Sequence, residues 1–288
     1  MNEIGYLDAL RNILETGERR ITRNSTTISK FSMKLDFDIR SSFPLLTTKK
    51  MYWKGVVHEL LWFLRGDTNS KHLEEKKVNI WKGNSNRDFL DQHHLESYEE
   101  GDCGPIYGFQ WRHFGAEYTG MHSNYRGKGI DQLQNCIDLL KTDPFSRRIF
   151  MSAWNPVQLE DMCLPPCHVS YQFYVSQEKE LSCILYQRSG DMFLGIPFNI
   201  ASASLLVYIL AHHTGLKPGF LTIHIGDAHI YENHILAVKT QIERECFSFP
   251  TLCIFGLGDK NNIEDYTFED FTLENYHSHP TISAEMIA

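Results

Sequence analysis

The chain has 288 residues, of which 42% are hydrophobic and 22% charged, an ordinary composition for a globular protein with a full core. Its formal net charge of -8 argues against a broad basic surface for nucleic acid, although a small basic pocket is compatible with that charge. The chain shows no signal-peptide pattern, no uninterrupted apolar run near the roughly 18 residues of a membrane helix, and seven cysteines without a disulfide framework, so we expect a soluble cytoplasmic protein with free thiols.

The amino-terminal stretch predicts a helix followed by a polar connection. Apolar residues recur at helical spacing over 4–14, and Gly17 is the expected stop. Residues 18–27, E-R-R-I-T-R-N-S-T-T, are basic and rich in hydroxyl groups, which favours a loop. Since the sequence shows no internal repeat and no low-complexity linker, we expect a single domain over 1–288.

A second helix is predicted over 55–66, where six apolar side chains share one broad face. Glu59 lies on the shoulder of that face, so it is either a surface residue or a half-buried acid with a raised pKa. Taken alone, its position favours the surface interpretation. The stretches 79–102 and 113–129 are polar and are interpreted as long surface excursions, and 131–141 is predicted to be helical.

The carboxyl-terminal half is richer in strands. Two β-rich runs, 169–175 and 181–188, flank a five-residue polar loop and predict a hairpin. An apolar helix is predicted over 199–213, and 221–231 has the pattern of one more strand. Strands mixed with helices, without regular alternation, argue for an α+β domain.

The sharpest local feature is L-P-P-C-H, in which two prolines fix the backbone just ahead of Cys167. A lone cysteine is more often a small core residue than a nucleophile. The hairpin changes that balance, because pairing across its loop places residue 168 opposite residue 188 and Cys167 beside Arg188 and Ser189. A guanidinium next to a thiol favours the nucleophilic thiolate, so this hypothesis depends on the register.

Two other chemistries fit the same segment. Cys163 and Cys167 have the spacing of a zinc-binding pair, but the sequence offers no second pair of ligands at suitable spacing. His168 adjoins Cys167, which fits a Cys-His hydrolase in residue type, although adjacent strand residues point to opposite faces. The sequence therefore favours a nucleophilic Cys167 over both a zinc site and a Cys-His hydrolase.

Arginine is the side chain best suited to phosphate, because its planar fork matches the oxygens and its charge is permanent. In this acidic chain the candidates are Arg19, Arg20, Arg23, Arg147, Arg148 and Arg188. Exposed surface arginines are the ordinary explanation, and a nucleotide monophosphate site is the functional alternative.

Longer motifs surround these candidates. P-P-C-H, Q-F-Y-V, L-Y-Q-R-S-G-D, P-F-N-I-A-S and G-D-A-H-I-Y occur in that order, preceded by F-P-L-L-T-T-K, H-E-L-L-W-F, G-P-I-Y-G-F-Q-W-R and S-R-R. Together they resemble the thymidylate synthases over nearly the whole chain, from about Leu7 to the end. The polar excursions, including R-H-F-G-A-E-Y, are similar to those of the animal-type members.

The resemblance implies an α+β thymidylate synthase fold, with a twisted mixed β-sheet flanked by helices and one sheet face at a homodimer interface. The implied reaction is the reductive methylation of dUMP to dTMP. In it, 5,10-methylenetetrahydrofolate supplies both carbon and hydride and leaves as dihydrofolate. No metal, membrane or DNA enters this expectation.

By similarity, four residues would carry catalysis: Cys167, Glu59, Tyr107 and Arg188. Cys167 would attack carbon 6 of the uracil ring, and Glu59 would become a half-buried acid–base group acting with ordered water. The residues expected to bind dUMP are Arg23, Arg147, Arg148, His168, Gln187, Arg188, Ser189, Gly190, Asp191, Asn199, His229 and Tyr231, with Arg147 and Arg148 contributed across the interface. The residues expected to line the folate pocket are Ile80, Trp81, Asn84, Asp191, Leu194, Gly195, Phe198 and Ile287.

The phosphate loop T-R-N-S-T-T-I-S departs from the family, because it is one residue shorter and lacks the usual glycines. Arg23 is the expected loop arginine and Arg20 the alternative. Glycine adopts backbone angles that Asn24 and Ser25 do not adopt easily, so we expect altered closure over the phosphate. Other departures are at Cys103, Ala203 and Ile287.

Two further functions stay open. A deoxycytidylate hydroxymethylase of the same fold would need an acceptor such as aspartate facing the cytosine amino group, whereas Asn199 offers both donor and acceptor and fits uracil. A non-catalytic nucleotide or RNA binder on the same scaffold is supported only by the altered phosphate loop.

Overall fold

The computed structural model describes residues 3–23, 25–256 and 260–287. Its α-helices are α1 Ile4–Thr16, α2 Trp53–Leu64, α3 Lys71–Glu75, α4 Lys82–Ser85, α5 Arg87–Gln92, α6 Tyr107–His113, α7 Gln132–Thr142, α8 Gly195–Thr214 and α9 Ile235–Ile242. Its strands are β1 Glu18–Ile21, β2 Thr26–Asp38, β3 Phe150–Ser152, β4 His168–Val175, β5 Glu180–Asp191, β6 Lys217–Tyr231, β7 Thr251–Ile254 and β8 Phe271–Glu274. Short 3-10 turns lie at Leu159–Asp161, Glu232–His234, Ile263–Asp265 and Phe268–Asp270.

Six strands form one mixed sheet in the order β1-β2-β6-β5-β4-β3, and β7 pairs with β8 in a separate ribbon. β5 and β6 are parallel, and the other neighbours in the large sheet are antiparallel. The parallel pair is joined through α8, as a parallel connection requires a crossover. The predicted fold class, α+β with a mixed sheet and flanking helices, is therefore confirmed.

The helix α8 packs against the inner face of the sheet, where β5 presents Leu181, Cys183 and Leu185. It is apolar around its whole circumference, as is typical of a helix enclosed in a core. Within the described part of the chain it is the one helix long and apolar enough to cross a bilayer, but 72% of that stretch is buried inside the protein. It ends at Gly215, whose φ of 73° is the left-handed conformation that glycine favours.

The opposite face of the sheet carries large exposed apolar side chains. They come from β3, β4, β5 and β6, and they are Phe150, Tyr174, Ile184, Tyr186 and Phe220, each at least 42% exposed. Strand pairing places Phe150 and Ile184 in one row, on either side of Gln172, which is opposite both. Large apolar side chains grouped on one exposed sheet face are typical of a protein–protein interface.

Several elements follow the sequence expectations. The helices over 4–14, 55–66, 131–141 and 199–213 are present as α1, α2, α7 and α8, with boundaries shifted by a few residues. The hairpin and the strand over 221–231 are present as well.

The loop predicted over 18–27 is wrong. That stretch forms the edge strand β1 and the start of β2, which pair from Glu18–Ser29 to Ile21–Thr26. All residues of β1 are exposed, so it has no inside face and carries no alternating hydrophobic pattern to reveal it.

The prediction of a surface excursion over 79–102 is also wrong in part. The segment forms α4 and α5, and the side chain of Asn86 caps α5 by accepting from the amide of Phe89. Trp81 within it is buried. By contrast, 113–129 is largely irregular as expected, and Tyr125 packs there against Phe109 in a small satellite cluster.

The hairpin register is as predicted from Ser170–Tyr186 to Val175–Leu181. A β-bulge between His168 and Ser170 then shifts the pairing, so that His168 lies opposite Gln187 rather than residue 188. The predicted pairing at His168 is therefore off by one residue.

Candidate active site

A cavity of about 380 Å³ opens at the end of β5 and β6, between α2, the start of α8 and the carboxyl-terminal tail. Nearly all residues predicted for the site line it: Arg23, Glu59, Ile80, Trp81, Asn84, Tyr107, Cys167, His168, Gln187, Arg188, Ser189, Asp191, Leu194, Gly195, Phe198, Asn199, His229, Tyr231 and Ile287. Sequence reasoning missed three wall residues, Phe63, Leu164 and Met286. Residues separated by up to 264 positions in the chain are thus brought to one pocket.

The loop before Cys167 is held by Arg188. The guanidinium donates from Nε to the carbonyl of Pro166 and from Nη2 to that of Pro165, both at 2.9 Å. The amide of Arg188 donates to the carbonyl of Cys167 at 3.0 Å. The amide of Cys167 donates in turn to the hydroxyl of Tyr107 at 2.8 Å. The thiol is therefore held in one place by contacts on both sides of its backbone.

The protonation state of Cys167 follows from two opposing effects. Burial raises its pKa, and the positive charge of Arg188 together with the hydroxyl of Tyr107 offsets only part of that rise, so the pKa lies above its ordinary value. Arg188 favours the thiolate, as expected from the sequence, but the effect of burial on the pKa is larger.

Glu59 is buried on α2, with 8% of its surface exposed. Its Oε1 accepts a hydrogen bond from the indole nitrogen of Trp81 at 2.8 Å. Burial raises its pKa to about 7, and the single hydrogen bond from Trp81 opposes this only weakly. The surface interpretation of Glu59 is wrong, and the residue is poised to exchange a proton near neutral pH.

His168 is buried, and burial lowers its pKa to about 4. The bulge lets it line the same cavity as Cys167, so the argument that adjacent residues face opposite ways does not hold here. A histidine with so low a pKa is a weak proton acceptor at neutral pH, which disfavours the Cys-His hydrolase.

Positive charge and hydrogen-bonding groups concentrate at one end of the cavity. Arg23 lines the wall there with Ser189 and His229. Arg20 points elsewhere, since its Nη1 pairs with Asp227 at 2.7 Å. Arg23 rather than Arg20 is therefore the arginine of the β1–β2 segment that lines the pocket. Asn24 lies outside the described residues.

A pair of carboxamides, Gln187 and Asn199, lines the pocket. The Nε2 of Gln187 donates to the Oδ1 of Asn199 at 2.9 Å and to the carbonyl of Ser189 at 3.0 Å. A carboxamide has two donor hydrogens and two acceptor lone pairs; Gln187 and His168 both bond to Asn199, which leaves its amide hydrogens for a ligand. Within the described residues, the buried Oε1 of Gln187 has no hydrogen-bond partner.

The other end of the cavity is apolar with a few polar groups. Its wall is formed by Ile80, Trp81, Leu194, Phe198, Met286 and Ile287. In the described structure the Nδ2 of Asn84 is buried there without a partner, and Asp191 lies in the same wall. Burial raises the pKa of Asp191, but His234 and the amide of Phe193 outweigh this and hold it below its ordinary value. A flat heteroaromatic ligand with hydrogen-bonding edges fits such walls.

Three predicted residues do not line the cavity. Arg147 and Arg148 are exposed on the segment between α7 and β3, away from the pocket of their own protomer. Gly190 lies behind the wall, where a Cβ would approach the Cδ1 of Ile196 to 2.6 Å. Gly190 therefore allows close packing of β5 on α8 rather than contact with a ligand.

Comparisons with known proteins give one answer. The family model described as thymidylate synthase matches residues 4–288. The chain is 55% identical to thymidylate synthase of Homo sapiens, covering 99% of this chain and 90% of that protein. It is 52% identical to thymidylate synthase of human herpesvirus 8 type P (99% and 84% covered). It is also 51% identical to the bifunctional dihydrofolate reductase-thymidylate synthase of Zea mays, of which it spans 54%.

Proposed function

The chain belongs to the thymidylate synthase family, whose reaction is the reductive methylation of dUMP to dTMP with 5,10-methylenetetrahydrofolate, and we propose that the cavity around Cys167 carries it out. One observation carries the proposal. A fixed thiol, a buried acid with a pKa of about 7 and two arginines share a single pocket. These are a nucleophile, a proton-transfer group and a phosphate site.

Nucleotide binding is assigned to the polar end of the cavity. Arg23, Arg188 and Ser189 would receive the phosphate, since guanidinium groups and a hydroxyl satisfy its oxygens. His229 and Tyr231 would hold the sugar, and their rings lie 5.1 Å apart. Asn199 would pair with the uracil edge through its side-chain amide, as a carboxamide can donate to a ring carbonyl.

The chemical step begins at Cys167. Its Sγ would form a bond to carbon 6 of uracil, and the electron pair of the 5,6 double bond would move toward carbon 5 and the carbonyl oxygen at position 4. Carbon 5 would thereby become nucleophilic. Carbon 5 would then bond to the donated one-carbon unit and lose its proton to a base. Once hydride has completed the methyl group, departure of Sγ from carbon 6 with its electron pair would restore the 5,6 double bond and return the thiolate.

Proton transfers are assigned to Glu59 and Tyr107. With a pKa of about 7, Glu59 exists in both protonation states at neutral pH, so it would give and take protons near the ring. The hydroxyl of Tyr107 accepts from the amide of Cys167 and would sit beside the reacting carbon 5.

Folate binding is assigned to the apolar end. When bound there, the folate supplies the one-carbon unit and the hydride. Trp81, Leu194 and Phe198 would contact its ring system, while Asp191 and the unpaired amide of Asn84 would meet its polar edge. Pterin nitrogens and a carboxamide are matched hydrogen-bonding partners.

A ternary mixture tests the function. Incubation with 5-fluoro-dUMP and methylenetetrahydrofolate should give a stable adduct, with the added mass on the peptide that carries Cys167. No adduct at saturating ligand would favour the binding-only alternative, and turnover of dCMP but not dUMP would favour the hydroxymethylase. Because the assigned groups are all protein side chains, we expect turnover to continue in a chelator.

We propose that the protein is a homodimer joined by the exposed sheet face. The support is the group of apolar side chains on that face, which include Ile184, Tyr186 and Phe220. Arg147 and Arg148 would then complete the phosphate site of the partner, which fits their exposure on this protomer. Their charge would also lower the pKa of the partner's Cys167.

Subunit mixing tests this arrangement. A Cys167→Ser protein and an R147E/R148E double variant should each be inactive, but their mixture should regain activity. Random exchange makes half of the dimers mixed, each with one intact site, so about a quarter of wild-type activity is expected. Adding Ile184→Arg to both proteins should abolish the regain by preventing association, whereas Leu236→Arg, on the exposed side of α9, should not. Full activity of the double variant alone would contradict the shared site.

A cytoplasmic location remains our proposal. All seven cysteines are free, as expected in a reducing compartment. Imaging of a fluorescent fusion would test it.

A further inference from the structure

His234 lies at the start of α9, where it is completely buried. Its ring packs against Phe193 and Tyr231, with ring centroids 5.4 and 5.5 Å away. Its Nε2 is 2.7 Å from the carbonyl oxygen of Glu285. Its Nδ1 is 3.9 Å from Oδ1 of Asp191.

The two ring nitrogens are in different situations. Nε2 faces a carbonyl, which only accepts, so Nε2 carries a hydrogen and donates it. Nδ1 is buried and has no hydrogen-bond partner in the described residues. Its 3.9 Å separation from Asp191 is about 1 Å longer than a hydrogen bond. A buried unpaired nitrogen beside a carboxylate is costly, and a small movement would remove that cost.

Charged groups near the ring favour closure of this gap. Asp191 faces the ring directly, whereas the charge of Lys49, whose Nζ lies 3.7 Å over the ring of Phe193, lowers the pKa of His234. Burial lowers the pKa of His234, but the Asp191 carboxylate and the carbonyl of Glu285 outweigh this and raise it overall.

The bond to Glu285 also anchors the tail. In the described residues 281–287, it is the hydrogen bond that ties the tail to the body of the protein. Further back, the tail is attached at His279, whose amide donates to Thr47. Met286 and Ile287, which directly follow Glu285, line the apolar end of the cavity.

We propose that His234 is a positioning residue that couples the tail to Asp191 when folate binds. Ligand held between Asp191 and the tail would draw Nδ1 onto the carboxylate, with the ring taking up a second proton on Nδ1 so that the imidazolium donates from Nδ1 to Asp191 and from Nε2 to Glu285. The result is one continuous hydrogen-bonded link from Asp191 through His234 to Glu285. This inference rests on the proposed folate roles of Asp191 and the tail.

Three substitutions separate the two bonds. In His234→Gln the side-chain amide reaches the position of Nε2, which keeps the bond to the tail. In His234→Asn the side-chain amide reaches the position of Nδ1, so a donor toward Asp191 remains but the bond to Glu285 is lost. His234→Ala loses both. His212→Gln is a matched control, because the Nδ1 of His212 contacts Tyr266 on the far side of the core.

Two readouts are needed. The first is KM for methylenetetrahydrofolate against Kd for dUMP. For His234→Ala we expect KM to rise about tenfold, with a smaller rise for Asn and Gln, while Kd for dUMP changes less than twofold in all variants. The second is release of tail residues by a carboxypeptidase. The complex with 5-fluoro-dUMP and methylenetetrahydrofolate should protect the wild-type and His212→Gln tails, but not that of His234→Ala.

The outcomes are distinct. If wild-type protein forms no adduct, both the proposed function and this inference fall. If the adduct forms but the tail of His234→Ala is protected as in wild type, the inference alone fails. A parallel loss of dUMP affinity in the Asn and Gln variants would show a merely structural role and would also overturn it.

Discussion

Replacement of Cys167 by serine is expected to lower kcat on the order of 10⁴-fold or more and to abolish the adduct with 5-fluoro-dUMP. A serine hydroxyl is far less acidic than a thiol, and the site offers no strong base beside it, since the pKa of His168 is about 4. The Kd for dUMP should change only a few-fold, because Arg188 still holds the loop through Pro165 and Pro166. Steady-state kinetics, equilibrium binding and intact mass measure the three quantities.

Cys163→Ser is the matched control for this variant. Cys163 lies four residues earlier in the same segment and is buried outside the cavity wall. The Cys163→Ser protein should still form the adduct and retain most of the activity. If Cys167→Ser formed the adduct in undiminished yield, or if Cys163→Ser lost it, Cys167 would not be the nucleophile.

Glu59→Gln is expected to lower kcat by about 10²- to 10⁴-fold, the usual range for loss of a general acid–base group. Glutamine has nearly the same shape, and its Oε1 still accepts from Trp81, so the pocket should keep its form. The limb of the kcat profile that reports a group near pH 7 should disappear in the variant. A limb of unchanged position would show that another residue carries the proton.

The same substitution should change the pH dependence of stability. The pKa of Glu59 is raised from 4.5 to about 7 in the folded state, so the folded protein binds the proton more tightly than the unfolded chain. The free energy of unfolding therefore falls as pH rises through this window, by on the order of 3 kcal/mol across it. Glu59→Gln removes that dependence. The difference in Tm between Glu59→Gln and wild type should therefore shift in favour of the variant from pH 5 to pH 8. The same Tm difference at both pH values would contradict a buried acid with a raised pKa.

Some of the fold follows directly from sequence and some does not. The helix α8 and the β4–β5 hairpin are predictable because their apolar runs and turn residues are strong local signals. The edge strand β1 has no buried face, so only its pairing with β2 defines it. The bulge after His168 depends on how the loop packs around Arg188, which no local pattern encodes.

The site divides in the same way. Motif resemblance found most of the wall, and the missed Phe63 had a readable signal, because it lies one helical turn after Glu59 on α2. Met286 adjoins Ile287, which was identified. The protonation of Cys167 could not be foreseen, since it depends on how completely neighbouring segments bury the thiol. Neighbouring charge is visible in sequence, but desolvation is a property of the packed structure.

The grip of Arg188 on Pro165 and Pro166 has a consequence for substrate choice. The guanidinium is already fixed before any ligand binds. Binding of a phosphate therefore costs little further loss of side-chain conformational entropy at Arg188. The same side chain shapes the loop that carries the thiol. A nucleoside without phosphate would leave this cation unneutralised. We therefore expect the protein to distinguish nucleotide from nucleoside at the side chain that also holds the loop of the nucleophile.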